Sequence, residues 1–272
     1  MEYSDDIKLR ERFDLSGHRA FITGSARGIG RAIALGLAEY GAQVIVHGVK
    51  ESAKLESALE SVRKLSPASF SVVGDLGDPD APRKIADQIS AKSELPDIFI
   101  ANASVQFRTP WDKIPLEESL LQMQVNFHST LMLAQLFFPV MKAQKWGRIV
   151  TIGSVQEFRP HPEMAVYAAS KSAQENLVRN IARQVACEGI TVNNIAPGVV
   201  ATDRNDEALS NPVYAKRVTD CIPSHTYAEP ADAAGAAVLL CSNAGRYITG
   251  TNIVIDGGLR LPRCFPFSNT FN

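Results

Sequence analysis

The chain has 272 residues, 45% hydrophobic and 21% charged, ordinary globular usage that excludes a disordered or fibrous protein and allows one large α/β unit or two small ones. Lys and Arg number 28 against 29 Asp and Glu, a formal net charge of -1 with no basic stripe, so nucleic acid is not an expected partner. The acidic opening residues Met1–Asp6 lack the apolar run of a signal peptide and no later run reaches spanning length, so a cytoplasmic protein that engages no membrane is expected.

In chain order, Arg19–Gly24 reads as a short apolar strand ending in glycine, and Ile29–Tyr40 as a helix with Ile33 and Leu37 on its apolar side. Gln43–His47 is a second strand and Glu51–Leu65 a second helix carrying Leu55, Ala58, Leu59 and Val62 on one face. Ser69–Val73 gives a third strand, then Pro79–Lys92 a helix with Asp78 as N-cap and an early proline. Asp97–Ala101 is the fourth strand, Glu117–Gln144 a long helical region with a kink or break expected near Pro139, and Arg148–Ile152 the fifth strand. Ala165–Glu188 is a helix, Ile190–Ile195 the sixth strand, Ala231–Ser242 a late helix and Asn252–Ile255 the last strand.

Strands alternating with helices at this pitch imply βαβ units. The expected fold is an α/β, doubly wound Rossmann fold: a mostly parallel seven-stranded sheet flanked by helices, in a single domain spanning residues 1–272. No spacer or short repeat divides it. Residues 1–14 read as a mobile arm, 202–228 as a polar segment beside the substrate, and 261–272 as a tail. Cys187, Cys221, Cys241 and Cys264 lack Cys-x-x-Cys spacing and His18, His47, His128, His161 and His225 are dispersed, so neither a disulfide framework nor a metal site is expected.

Two motifs carry chemistry. Thr23-Gly24-Ser25-Ala26-Arg27-Gly28-Ile29-Gly30 joins the first strand to the first helix, where a glycine turn brings backbone close to a pyrophosphate at a helix N-terminus. Tyr167 and Lys171 lie four residues apart, on one face of a helix. A phenol has a pKa of about 10, and a neighbouring ammonium favours its phenolate and brings it toward a useful acid/base range. That pair alone also occurs on many solvated helices.

Together these motifs resemble the short-chain dehydrogenase/reductase family over Gly17–Gly258. Asp75-Leu76 resembles its adenine-contacting pair, Asn102-Ala103 its Asn-Ala-Gly motif with Ser104 in place of the glycine, and Asn126 its helix asparagine. Ser154 precedes Tyr167 by the family's thirteen residues, and Pro197-Gly198 with Thr202 resembles its nicotinamide-side loop. The resemblance implies a catalytic tetrad of Asn126, Ser154, Tyr167 and Lys171: Tyr167 the acid/base, Ser154 the hydrogen-bond donor, Lys171 the partner of tyrosine and cofactor ribose, and Asn126 the anchor of a relay water. The implied cofactor contacts are Gly24, Ser25, Arg27, Gly28, Ile29, Gly30, Asp75, Leu76, Asn102, Ala103, Tyr167, Lys171, Pro197, Gly198 and Thr202.

The implied activity is hydride transfer between NAD or NADP and a secondary alcohol or carbonyl. A non-catalytic dinucleotide-binding module, a 3-oxoacyl-type reductase and an epimerase or dehydratase are the alternatives; the last usually spaces its glycines differently. NADP is favoured, because Gly48 stands where an NAD enzyme of this kind places an acidic residue, while Arg27 and Lys50 favour a 2′-phosphate. Gln156, Glu157, Arg159, His161, Asp203 and Arg204 suggest a polar pocket rim and a small polyol, sugar acid or other hydroxylated substrate. The resemblance further implies a homotetramer, pairing the helices of 117–144 and 165–188 and associating again through the last helix and strand. Leu177, Ile181 and Val185 suit either the core or such an interface.

Overall fold

A computed structural model describes residues 8–203, 205 and 210–262. Its strands are β1 (Arg19–Ile22), β2 (Gln43–Gly48), β3 (Phe70–Val73), β4 (Ile98–Ala101), β5 (Gly147–Ile152), β6 (Ile190–Pro197) and β7 (Asn252–Ile255). Its helices are α1 (Gly28–Glu39), α2 (Ala53–Arg63), α3 (Ala81–Ser90), α4 (Leu116–Met123), α5 (Ser129–Gln144), α6 (Ala165–Val185), α7 (Pro212–Cys221) and α8 (Pro230–Cys241). The strands form one seven-stranded sheet in the order β3-β2-β1-β4-β5-β6-β7, and every pairing in it is parallel. The chain runs outward from β1 to β3 and then restarts at β4 on the other side of β1. That reversal opens a crevice at the carboxyl ends of β1 and β4.

Parallel strands need helical crossovers, so both faces of the sheet are covered and the strands are mostly apolar. Alternation along each strand divides the core in two. Phe21, Ile45, Phe99, Ile149 and Val192 face Ile85 and Ile89 of α3, Leu133, Phe137 and Met141 of α5, and Val178, Ala182 and Val185 of α6. Ala20, Ile22, Val44, Val46, Ile98, Ile100 and Val150 face Ile33 and Leu37 of α1, Leu55 and Val62 of α2, and Ala237, Val238 and Leu240 of α8. Phe21, Phe99 and Phe137 form an aromatic triangle with ring centroids 6.1, 5.7 and 5.5 Å apart. Val185 is buried and Ile181 packs against the same core, so these two residues of α6 serve the core.

Several boundaries differ from those expected. The helical region 117–144 is interrupted, but by a π-turn at Gln124–His128; α5 runs through Pro139 and ends at Lys145, whose φ is 51°. Asp78 does not cap α3: its Oδ1 accepts from Asp80 N at 2.9 Å in a turn before the helix, and the early proline is Pro82. The polar segment 202–228 contains α7, capped by Asn211 through Val213 N and Tyr214 N. Within the expected mobile arm, Leu9–Phe13 is a 3-10 turn seated on the body, with Phe13 against Tyr40 at 6.1 Å and Arg12 Nη2 donating to Asn243 O at 3.4 Å. Residues 1–7, Arg204 and the tail from 263 onward, with Cys264, lie outside the described residues. No helix among those described is long and apolar enough to cross a membrane.

Candidate active site

The crevice holds a cavity of about 550 Å³ whose lining includes the glycine turn at one side and Ser154 and Tyr167 at another. The turn is shaped by backbone demands. Gly28 sits at φ 56°, a left-handed conformation in which a side chain is strained, and opens α1 with Arg27 as an N-cap whose side chain makes no capping bond. The first N–H groups of α1 are thus left to a ligand, and an anion is the natural one.

The turn is fastened from beneath by side chains. The Thr23 hydroxyl accepts from Asn102 N at 2.9 Å and Ala103 N at 3.0 Å, while Asn102 Nδ2 donates to Thr23 O at 2.8 Å and Gly24 O at 3.1 Å. Ser25 is buried, its hydroxyl donating to Ile22 O and accepting from His47 N, both at 2.8 Å. His47 completes the clamp: Nδ1 accepts from Gly24 N at 3.0 Å, and Nε2 lies 3.0 Å from Gly74 O. The first bond needs an unprotonated Nδ1 and the second a protonated Nε2, so the neutral imidazole satisfies both. Burial pushes the His47 pKa down to about 4. In the sequence His47 is one of five dispersed histidines, with no local signal of this clamp.

At the other side of the cavity, Tyr167 and Lys171 share the buried face of α6, with Lys171 Nζ 5.9 Å from the Tyr167 ring centroid. Lys171 Nζ donates to Ile152 O at 2.7 Å and Gln174 Oε1 at 3.2 Å, and Gln174 is held by Thr130 of α5 at 3.1 Å. Ser154 follows β5 and lines the cavity; its Oγ accepts from Gln156 N at 3.2 Å, which leaves the hydroxyl proton for an oxygen in the cavity. Asn126 lies in the π-turn and is fully buried, outside the lining. Its Oδ1 accepts from Val105 N at 2.9 Å, and Nδ2 donates to Val105 O at 2.9 Å and Ser170 Oγ at 3.0 Å. Both amide protons are thereby committed, and Asn126 joins the loop after β4 to α6.

Of the expected cofactor contacts, Gly24, Arg27, Gly28, Ile29, Asp75, Leu76, Asn102, Ala103, Tyr167, Pro197, Gly198 and Thr202 line the cavity, as does Ser104; Ser25, Gly30 and Lys171 stand behind it. Of the expected polar rim, Gln156, His161 and Asp203 line it, joined by Gln106 and Arg108. Arg159 instead turns away, Nη1 donating to Leu259 O at 2.8 Å. Glu157 is not on the rim either: its carboxylate is turned inward beneath Ser154. The pattern Ser154-x-x-Glu157 is a capping box, so its bond to Ser154 N, though not its burial, is legible in the sequence. Lys54, in the first turn of α2, was also missed. Its Nζ meets Asp203 Oδ2 at 2.5 Å, and Arg27 Nη1 reaches the same oxygen at 3.4 Å. Lys50 takes no part in that pairing. Among the described residues no cluster of His, Cys, Asp and Glu could hold a metal.

Comparison with known proteins agrees with this geometry. A family model described as enoyl-(acyl carrier protein) reductase matches residues 24–260. Glucose 1-dehydrogenase of Gluconobacter oxydans (strain 621H) is 34% identical, covering 93% of this chain and 94% of that relative. A 3-oxoacyl (acyl-carrier-protein) reductase from Agrobacterium tumefaciens C58, solved with NADP bound, superposes with a TM-score of 0.88 at 35% identity, over 94% of this chain and 99% of that one. A gluconate 5-dehydrogenase from Burkholderia cenocepacia J2315, solved with NADP and tartrate, superposes with a TM-score of 0.87 at 31% identity, over 94% of this chain and 100% of that one. The chain belongs to the short-chain dehydrogenase/reductase family of oxidoreductases.

Proposed function

We propose that the protein interconverts a secondary alcohol and its carbonyl on a small hydroxylated substrate with NADP as cofactor. The observation that carries this reading is that Ser154 and Tyr167 line the same cavity as the glycine turn, with Lys171 buried behind the tyrosine. The residues fit a dinucleotide: the open N–H groups of α1 suit a pyrophosphate, and Asp75 with Leu76 suit the adenine. When bound, the nicotinamide supplies or accepts the hydride. Tyr167 gives a proton to the substrate oxygen or takes one from it, and Ser154 donates a hydrogen bond to that oxygen as its charge changes. Lys171 holds the ribose and favours the tyrosine anion. With its amide protons committed, Asn126 can offer a relay water only its main-chain carbonyl, which also accepts from Thr130 Oγ1 at 3.5 Å.

Selection of NADP is assigned to Arg27 and Lys54, which converge on one carboxylate oxygen of Asp203 and so define a place where an anion is held. Gly48, at the end of β2, offers no carboxylate to repel a 2′-phosphate. A polyol or sugar acid suits the substrate side, because Gln106, Arg108, Gln156 and His161 line it. Relatives named for glucose and gluconate support this reading, and the 3-oxoacyl reductase among the structural neighbours supports an acyl substrate as the second. A panel of polyols, aldonic acids and 3-oxoacyl thioesters, followed by the absorbance of reduced nicotinamide with each cofactor, decides between them. Turnover of no member with either cofactor would leave the binding-module reading in its place.

We also assign a homotetramer. Leu116, Leu120 and Leu121 of α4 are 68, 60 and 38% exposed, an apolar stripe that suits burial by a second copy. Sedimentation at micromolar concentration tests it, and a monomer would overturn it.

A further inference from the structure

The segment Ile152-Gly153-Ser154, where β5 enters the catalytic loop, is gripped by two opposite charges. Lys171 Nζ binds the carbonyl of Ile152 at 2.7 Å, and Glu157 Oε1 binds the N–H of Ser154 at 2.9 Å. The carboxylate is itself fixed. Asn194 Nδ2 donates to both of its oxygens at 3.1 Å, and Asn252 Nδ2 donates to Oε2 at 2.7 Å. The register of β6 and β7 pairs Asn194 with Asn252, which puts the two amides side by side. Asn194 is locked in turn by Thr151 Oγ1 at 2.5 Å, and the buried Oδ1 of Asn252 has no partner among the described residues, the cost of aiming its amide at Glu157. Even the backbone is shaped around this carboxylate, since a Cβ on Gly153 would run into Glu157 Oε1 and Asn194 Oδ1.

We propose that Glu157 is a positioning residue for the reaction: anchored by Asn194 and Asn252, it fixes Ser154 and opposes the charge of Lys171, setting how strongly Lys171 acts on Tyr167. The proposal rests on the roles of Ser154, Tyr167 and Lys171 given above. Every recorded hydrogen-bond partner of the carboxylate is a donor, an arrangement that suits an anion. Lys171 is the charged group that faces it; Asn194 of β6, Asn252 of β7 and the backbone of Ser154 are neutral. Burial outweighs those donors and Lys171 and holds the Glu157 carboxyl above the usual carboxylate range.

The test uses the full chain with NADP and a substrate found by the panel. Glu157→Gln presents an amide where three donors meet, and kcat is expected to fall about 10- to 100-fold, the scale of a misplaced catalytic group. Cofactor affinity should stay within about twofold, because Glu157 makes no contact with the cavity. With the opposing charge gone, the limb of the kcat–pH profile that reports the acid/base group should move to lower pH by about half a pH unit or more. A folded Glu157→Gln with a lowered melting temperature but an unmoved profile would overturn the proposal, since a merely structural role predicts that result. Should Glu157→Gln fail to fold, Asn252→Ala decides the matter. Its carboxylate, short of one donor, is protonated at higher pH, so kcat should fall at a higher pH on the acid side, and an unchanged profile would overturn the proposal. Tyr167→Phe serves as control: activity in that variant would mean that the catalytic reading has failed rather than the role of Glu157.

Discussion

Acidification should loosen the protein at His47 before it exhausts the ordinary carboxylates. The imidazole is 1% exposed, and its pKa falls from 6.5 to about 4 because burial disfavours the cation. Between those two values the unfolded chain binds a proton that the folded chain does not. The contribution of His47 is therefore complete above about pH 6.5 and is lost as pH falls toward 4, below which it changes no further. At about 1.4 kcal/mol per pH unit the full loss is about 3 kcal/mol, of which about 2 kcal/mol is already gone at about pH 5. The structure also says what is lost: a proton on Nδ1 removes the acceptor for Gly24 N and releases the glycine turn. Urea unfolding of wild type and His47→Asn at about pH 7.5 and about pH 5 isolates this effect, because the other titrating groups are common to both. The advantage of wild type over the variant should shrink by about 2 kcal/mol across that interval. Parallel losses of stability in the two proteins would refute the reasoning.

Other perturbations have equally definite outcomes. Phe137→Ala removes the fully buried apex of the aromatic triangle and should cost about 3–5 kcal/mol in denaturant unfolding. Arg27→Ala and Lys54→Ala should each weaken NADP binding by about 1 kcal/mol, the low end for a charged hydrogen bond because both side chains are well exposed, with NAD affinity nearly unchanged. Titration calorimetry with the two cofactors checks this, and equal weakening for both would contradict the assignment. Lys171→Ala should reduce both kcat and cofactor affinity, and normal cofactor binding would show that the lysine does not serve the ribose.

What the sequence disclosed follows from the range of the interactions involved. Strands such as Arg19–Ile22 and Ile98–Ala101 are apolar runs bounded by turn residues, and their alternation with amphipathic helices dictates a parallel sheet. The glycine turn is legible because its backbone tolerates few alternatives. Sequence rules place the interruption in 117–144 at proline, yet Pro139 sits inside α5, and the π-turn falls where Asn126 bonds to Val105 and Ser170 across the fold. Such partners are distant in sequence and leave no local periodicity. The same is true of His47, whose ring spans Gly24 and Gly74, and of Lys54, which meets Asp203 only after the chain has closed. The burial of Glu157 is hidden for another reason: a charge in a polar loop is ordinarily solvated, and only the pairing of β6 with β7 creates the amide cradle that buries it.

The most direct test of the account is Tyr167→Phe, measured for turnover on the substrate found by the panel and for NADP affinity in parallel. The ring, which is 6% exposed, keeps its packing and loses only the hydroxyl. The account predicts that kcat falls to the background of the uncatalysed reaction, while the dissociation constant of NADP stays within about twofold because the ring remains in place. Activity within a few-fold of wild type would contradict the assignment of Tyr167 as the proton-exchanging group, and with it the catalytic reading of the site.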